Sequence, residues 1–161
     1  MRGFRMTMEI DANGIVVAVY EGLFDASEWL RQRRAGFESR YRLADYDGRS
    51  MVVDMRRCRL PGQDWAYQFE EVARVLRERR PTAFRNAFIV GDHPDSDAGI
   101  ALFGEYQKLF QNPGSEVRTF RSYEEGYAWA LEGLRPPDAP APTADSERRD
   151  DVGGRPGRRC D

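Results

Sequence analysis

Lysine, histidine and cysteine are nearly missing from this chain. Among its 161 residues the only lysine is Lys108, the only histidine is His93, and the two cysteines are Cys58 and Cys160. So thin a stock of groups that titrate near neutrality leaves little for general acid–base chemistry. Two cysteines this far apart form neither a C-x-x-C motif nor a disulfide framework, and the expected setting is the reducing cytoplasm. The longest apolar run, Ile15–Tyr20, is far short of the roughly 20 residues that cross a bilayer, so no membrane span is expected. Met1–Met8 carries Arg2 and Arg5 with no apolar stretch behind them, and no secretory leader is expected there. A G-x-S-x-G turn, a Walker phosphate loop and a dinucleotide glycine fingerprint are absent as well. The chain therefore does not read as an enzyme, and no cofactor or metal centre is expected.

An excess of one charge is also lacking. The formal net charge of −2 gives no general attraction to nucleic acid. All the basic residues except Lys108 are arginine, a bias that reads as the mark of a GC-rich genome.

What is present is an alternation. Ile15–Tyr20, Met51–Asp54, Ala87–Val90 and Val117–Phe120 are short apolar runs bounded by turn residues, each followed by apolar spacing of helical period. Ahead of the first, Met6–Ile10 and Ile15–Tyr20 flank Asp11-Ala12-Asn13-Gly14, where Asn-Gly signals a hairpin because both residues tolerate φ > 0. Asp25 is placed to cap a helix to about Gly36, with Glu28 positioned for a capping box and Trp29, Leu30, Arg33 and Phe37 on its inner stripe. Trp65, Phe69, Val72, Ala73 and Leu76 mark a second helix, which Pro81 ends. Ile100, Phe103, Tyr106 and Phe110 mark a third, from about Ser96. Ser122 with Glu125 caps a fourth, whose core face holds Tyr123, Tyr127, Ala130, Leu131 and Leu134. The predicted order is β-β-α-β-α-β-α-β-α: an α/β fold with a mostly parallel sheet and an N-terminal hairpin. After Leu134 the composition breaks. Residues 135–161 hold five prolines, no aromatics and one large aliphatic residue, Val152, and are expected to be a disordered tail to a 1–134 domain.

This order resembles the STAS domain, and more closely its SpoIIAA-like branch of small stand-alone bacterial proteins, related in fold to the CRAL-TRIO lipid-binding domains. The residues that carry the resemblance are Val117-Arg118-Thr119-Phe120-Arg121-Ser122-Tyr123-Glu124-Glu125 closing on Ala128-Trp129-Ala130, with Val52-Val53-Asp54-Met55 and Gly14-Ile15-Val16-Val17. It spans roughly residues 6–134. The resemblance implies a regulatory, protein-binding module. Relatives that act as phosphorylation switches carry Asp-Ser-Ser-Gly where this chain has Gly62-Gln63-Asp64-Trp65. No serine stands there, so a phospho-serine switch is not expected. Asp64 could supply a permanent charge or simply cap the helix.

Two loops are candidates for chemistry. Gly91-Asp92-His93-Pro94-Asp95-Ser96-Asp97 follows a strand and opens a helix, where open α/β sheets bind ligands. Asp92 and His93 could ligate a metal, or the segment is an ordinary capped loop. Asp54-Met55-Arg56-Arg57-Cys58-Arg59 is expected to leave the neighbouring strand as a basic loop. Its arginines could hold an anion and lower the Cys58 pKa, or be plain surface charge with a half-buried cysteine. The resemblance puts a working surface at Asp54, Arg56, Arg57, Cys58, Asp64 and Trp65 with Asp92 and His93. A protein partner is the first expectation. A carrier of a lipophilic or nucleotide small ligand is the second, a metal-assisted hydrolase the third, and a homodimer stays open.

Overall fold

The computed structural model describes residues 3–60, 62, 65–79, 82–110 and 114–134. Asp64 and the 135–161 segment lie outside them, as does the Trp65 side chain. The elements run β1 (Arg5–Ile10), β2 (Val16–Leu23), α1 (Ala26–Gln32), a π-helical turn (Arg33–Phe37), α2 (Leu43–Tyr46), β3 (Met51–Arg59), α3 (Trp65–Arg79), β4 (Arg85–Ile89), α4 (Pro94–Phe110), β5 (Glu116–Phe120) and α5 (Tyr123–Glu132). The five strands lie side by side in sequence order. β1 and β2 are antiparallel, and every later pair is parallel. This is the α/β order expected, with the π-helical turn and the short α2 added between α1 and β3.

The hairpin closes differently from the Asn-Gly expectation. Asp11 Oδ1 accepts from the amides of Asn13 and Ile15, both at 2.9 Å, and Gly14 N donates to Asp11 O at 3.0 Å. Gly14 has φ +80° while Asn13 stays at negative φ, so an aspartate-led turn needs only one left-handed residue. Asp25 caps α1 by accepting from Glu28 N at 2.8 Å. The Glu28 side chain does not complete a capping box; it pairs with Arg31 and Gln32 instead. Beyond Gln32 the helix widens: Glu38 N reaches back five residues to Arg33 O.

Because the three parallel crossovers advance in one direction, their helices share a face. The larger core joins Phe4, Met8, Tyr20 and Phe24 to Trp29 of α1, Phe69 and Leu76 of α3, and Ile100 and Phe103 of α4. On the other face, among the described residues, α5 alone packs, with Trp129 and Ala130 on Ile15, Val52, Ala87 and Ile89. Gly126 sets that approach, since a Cβ there would collide with Ile89 Cδ1. One helix cannot cover five strands, and the α5 side of β1 stays exposed at Arg5, Thr7 and Glu9.

β3 is longer than Met51–Asp54. It continues alongside β2 to Arg59, through a bulge in which Val19 pairs Asp54 but Glu21 pairs Arg57. The extra residue flips the side-chain alternation. Met51, Val53 and Met55 point into the larger core, Arg56 and Arg57 both face solvent, and Cys58 turns back inward. A basic loop was expected there. The physical reason for the difference is that a bulge writes an in-out-out-in pattern, which matches neither strand nor helix period.

Candidate functional site

The carboxyl ends of β3, β4 and β5 bring three charged segments together. At the end of β3, Arg56 grips Asp54 as a fork, with Nε to Oδ1 at 2.9 Å and Nη2 to Oδ2 at 2.6 Å. The Arg56 amide adds a third bond to Oδ1 at 3.1 Å. Partial burial pushes the Asp54 carboxyl up, but these hydrogen bonds and the charges of Arg56 and Arg57 outweigh it and hold the group below the usual range. Arg57 reaches Glu21 on β2 at 2.9 Å, and Arg5 on β1 reaches the other oxygen of the same carboxylate at 2.9 Å. Arg5, Glu21 and Arg57 therefore form a charged row across three strands.

The loop after β4 lies against this strand end, for a Cβ at Gly91 would sit 3.4 Å from Arg56 O. Arg121, between β5 and α5, holds the loop from the other side by donating to Gly91 O and to the Asp97 carboxylate. Ser122 caps α5, accepting from Glu125 N at 3.3 Å. Glu124 lies near enough to Arg56 for each to favour the charged form of the other. Asp54, Arg56, Arg57, Asp92, Arg121 and Glu124 thus share one polar end of the sheet.

His93 is not placed as a metal ligand. Its Nδ1 accepts from Asp95 N at 3.3 Å, so the ring sits at the start of α4 as an added cap. Asp92 is exposed. Among the described residues no three His, Cys, Asp or Glu side chains come together as a metal-binding set.

Of the two readings of Cys58, the structure goes against the reactive thiol and buries the side chain more fully than the half-buried alternative. Cys58 is 4% exposed, and burial pushes its pKa up to about 12. The arginines beside it point to solvent on the opposite face, so they cannot stabilise its thiolate.

Sequence reasoning missed two features. Arg121 was read only as part of a junction, although it ties the Gly91 loop to α4. Arg33 was placed on the inner stripe of a helix, and its consequence is larger than that. The guanidinium is 1% exposed, 5.4 to 5.6 Å from the rings of Trp29, Phe37 and Tyr46. Its Nε contacts Glu38 at 3.1 Å, and its Nη1 lies 3.6 Å from Met8 Sδ. Arg33 and Asn86 both line a cavity of about 20 Å³ between the sheet and α1, α3 and α4. Arg33 Nη2 and Asn86 Oδ1 are buried without a hydrogen-bond partner among the described residues. The signal was an arginine four residues after Trp29 and four before Phe37.

The comparisons bear on the fold. No protein-family model matches the chain. Nor does any curated protein. Among solved structures it is similar to an uncharacterised protein of the DUF3478 family, with a SpoIIAA-like fold, from Shewanella loihica PV-4. The match has a TM-score of 0.52 at 13% identity, and covers 81% of this chain and 95% of the other. The chain thus has the SpoIIAA-like form of the α/β fold that its sequence pattern suggested. No helix among the described residues is long and apolar enough to cross a membrane.

Proposed function

We propose that this chain is a STAS-like regulatory module that acts by binding another protein, without catalysis and without a phospho-serine switch. The observation that carries the reading is the polar end of the sheet. There β3, the Gly91 loop and the start of α5 present Asp54, Arg56, Arg57, Asp92, Arg121 and Glu124 together. The bidentate Arg56–Asp54 pair and the single-bonded Arg57–Glu21 and Arg121–Asp97 pairs fix the geometry of such a surface, which suits recognition by complementary charge better than proton transfer. A cytoplasmic setting belongs to this reading, since a lone buried thiol such as Cys58 needs no oxidising compartment.

The test is affinity capture from the native host with the wild-type chain and with an Arg57→Glu/Asp92→Arg variant. Both positions are exposed, with the Arg57 side chain 80% accessible, so the reversal breaks only the surface Arg57–Glu21 pair, and circular dichroism checks that the fold is kept. The reading expects a stoichiometric partner whose capture falls at least about tenfold with the variant, or 1.4 kcal/mol. Equal capture by both proteins would remove this surface from the account.

One observation favours a second reading, a small-molecule carrier. The core cavity has apolar walls and two unpartnered polar atoms, on Arg33 and Asn86, that could orient a polar group. Its present volume of about 20 Å³ holds one water. A larger ligand needs α1 or α3 to move, which is why the protein-binding reading stands first.

A further inference from the structure

The two edges of the sheet are finished differently. On β1 the outward backbone groups are taken up by side chains from the segment that follows β2. Gln32 accepts from Met6 N at 2.7 Å and donates to Phe4 O at 3.0 Å. Arg40 donates to Met8 O at 2.6 Å, and the Tyr41 hydroxyl lies 3.4 Å from Ile10 N. A strand edge covered in this way offers no template to another chain.

Among the described residues β5 has no such cover. Glu116 N donates to Phe84 O at 3.1 Å, and Val90 N donates to Phe120 O at 2.9 Å. Those bonds turn the backbone of Glu116, Arg118 and Phe120 toward β4, and so turn the N–H and C=O groups of Val117 and Thr119 outward. No hydrogen bond from a described residue reaches them. A groove of about 430 Å³ runs beside this edge, between β5 and the Asp97, Ala101, Glu105 and Lys108 side of α4.

We propose that β5 pairs antiparallel with β5 of a second copy of this chain, about a two-fold axis at Val117, joining two five-stranded sheets into one of ten strands. The charge pattern of the edge selects both the occupant and the register. With the axis at Val117, Glu116 stands opposite Arg118 of the partner subunit, and the symmetry repeats the pair. Moving the axis to Arg118 sets that arginine against its own copy. Within one chain Arg118 lies over the Trp129 ring at 5.1 Å, and Glu116 is 3.9 Å from Arg85 Nε. The Arg118 and Glu116 side chains come no closer than 3.9 Å to each other and stay 59% and 48% exposed, so the pair across the axis is open to both. Val117 pairs with its counterpart through both backbone bonds. This interface does not depend on the polar end of the sheet, and it stands whether or not that surface binds another protein.

Sedimentation equilibrium of the full chain over a concentration series tests the proposal. The expected result is a monomer–dimer equilibrium, weakened at least about tenfold by Arg118→Glu. The exchanged pair Glu116→Arg/Arg118→Glu should restore the dimer. Thr119→Pro removes an amide that β4 does not use and should leave a folded monomer, as judged by circular dichroism. A wild-type chain that stays monomeric at every concentration would overturn the proposal. So would a dimer indifferent to Arg118→Glu, or one that the exchanged pair fails to restore.

Discussion

Cys58 offers the sharpest quantitative prediction, because its burial acts against the charge of the arginines beside it. Three arginines around an exposed cysteine would lower its pKa, whereas burial raises it from an ordinary 9.0 to about 12. Each pKa unit changes the thiolate population tenfold below the pKa, so the native thiolate is depleted about a thousandfold at neutral pH. The thiolate is the nucleophile toward a disulfide reagent, and the 4% exposure of the side chain slows attack further. The assay follows release of the chromophore from Ellman's reagent, using the full chain with Cys160→Ser so that one thiol is read. The native protein should react at least about a thousandfold more slowly than the same chain in denaturant. A native rate within about tenfold of the denatured one would refute both the burial and the inward turn after the bulge. The same shift bears on stability. A thiol whose pKa rises on folding contributes fully below pH 9.0, and the contribution is lost as pH climbs from there toward about 12. Stability should therefore fall by about 1.4 kcal/mol per pH unit in that window. A Cys58→Ala variant should lack this component.

Other consequences concern the core and the acid limb. Arg33→Ala removes a buried charge from three aromatic rings and from Glu38, and urea unfolding should show a loss of about 3–5 kcal/mol. Gly126→Ala gains about 1 kcal/mol of helix propensity. It also drives a Cβ into Ile89 and to 3.2 Å from the Phe120 ring, so the net effect should be destabilising by about 1–2 kcal/mol, measured the same way. An NMR titration should place the Asp54 carboxyl below the ordinary aspartate value, and Arg56→Ala should bring it upward. Because this pKa is depressed on folding, its contribution is present above the unfolded aspartate pKa and is lost as pH falls through the folded one.

The order of elements was legible because hydrophobic period changes from two to 3.6 at each strand–helix junction. The face on which each helix packs follows from connection direction, with α5 the one described helix on its side. Three features were hidden for local reasons. The second half of β3 was read as loop, since the bulge puts Arg56 and Arg57 on one side together and returns Cys58 to the core. The widening at Arg33–Phe37 leaves no mark in the spacing, because Trp29, Arg33 and Phe37 fall four apart whether the turn is α or π. The hairpin turn was assigned to Asn13 and Gly14, although Asp11 supplies the bonds that close it. As for the site, chain order placed Asp54–Arg57 and Asp92–His93 at one end of the sheet. The clasp of Arg121 on Gly91 and Asp97 needed the fold, being a contact across 24 to 30 residues.

Native mass spectrometry of the full chain, purified gently from its own host, tests the central claim most directly. The account predicts the chain in a complex with a second protein species, carrying no small adduct. A stoichiometric small-molecule adduct that disappears with Arg33→Met would contradict it and make the core cavity, rather than the polar end of the sheet, the working site.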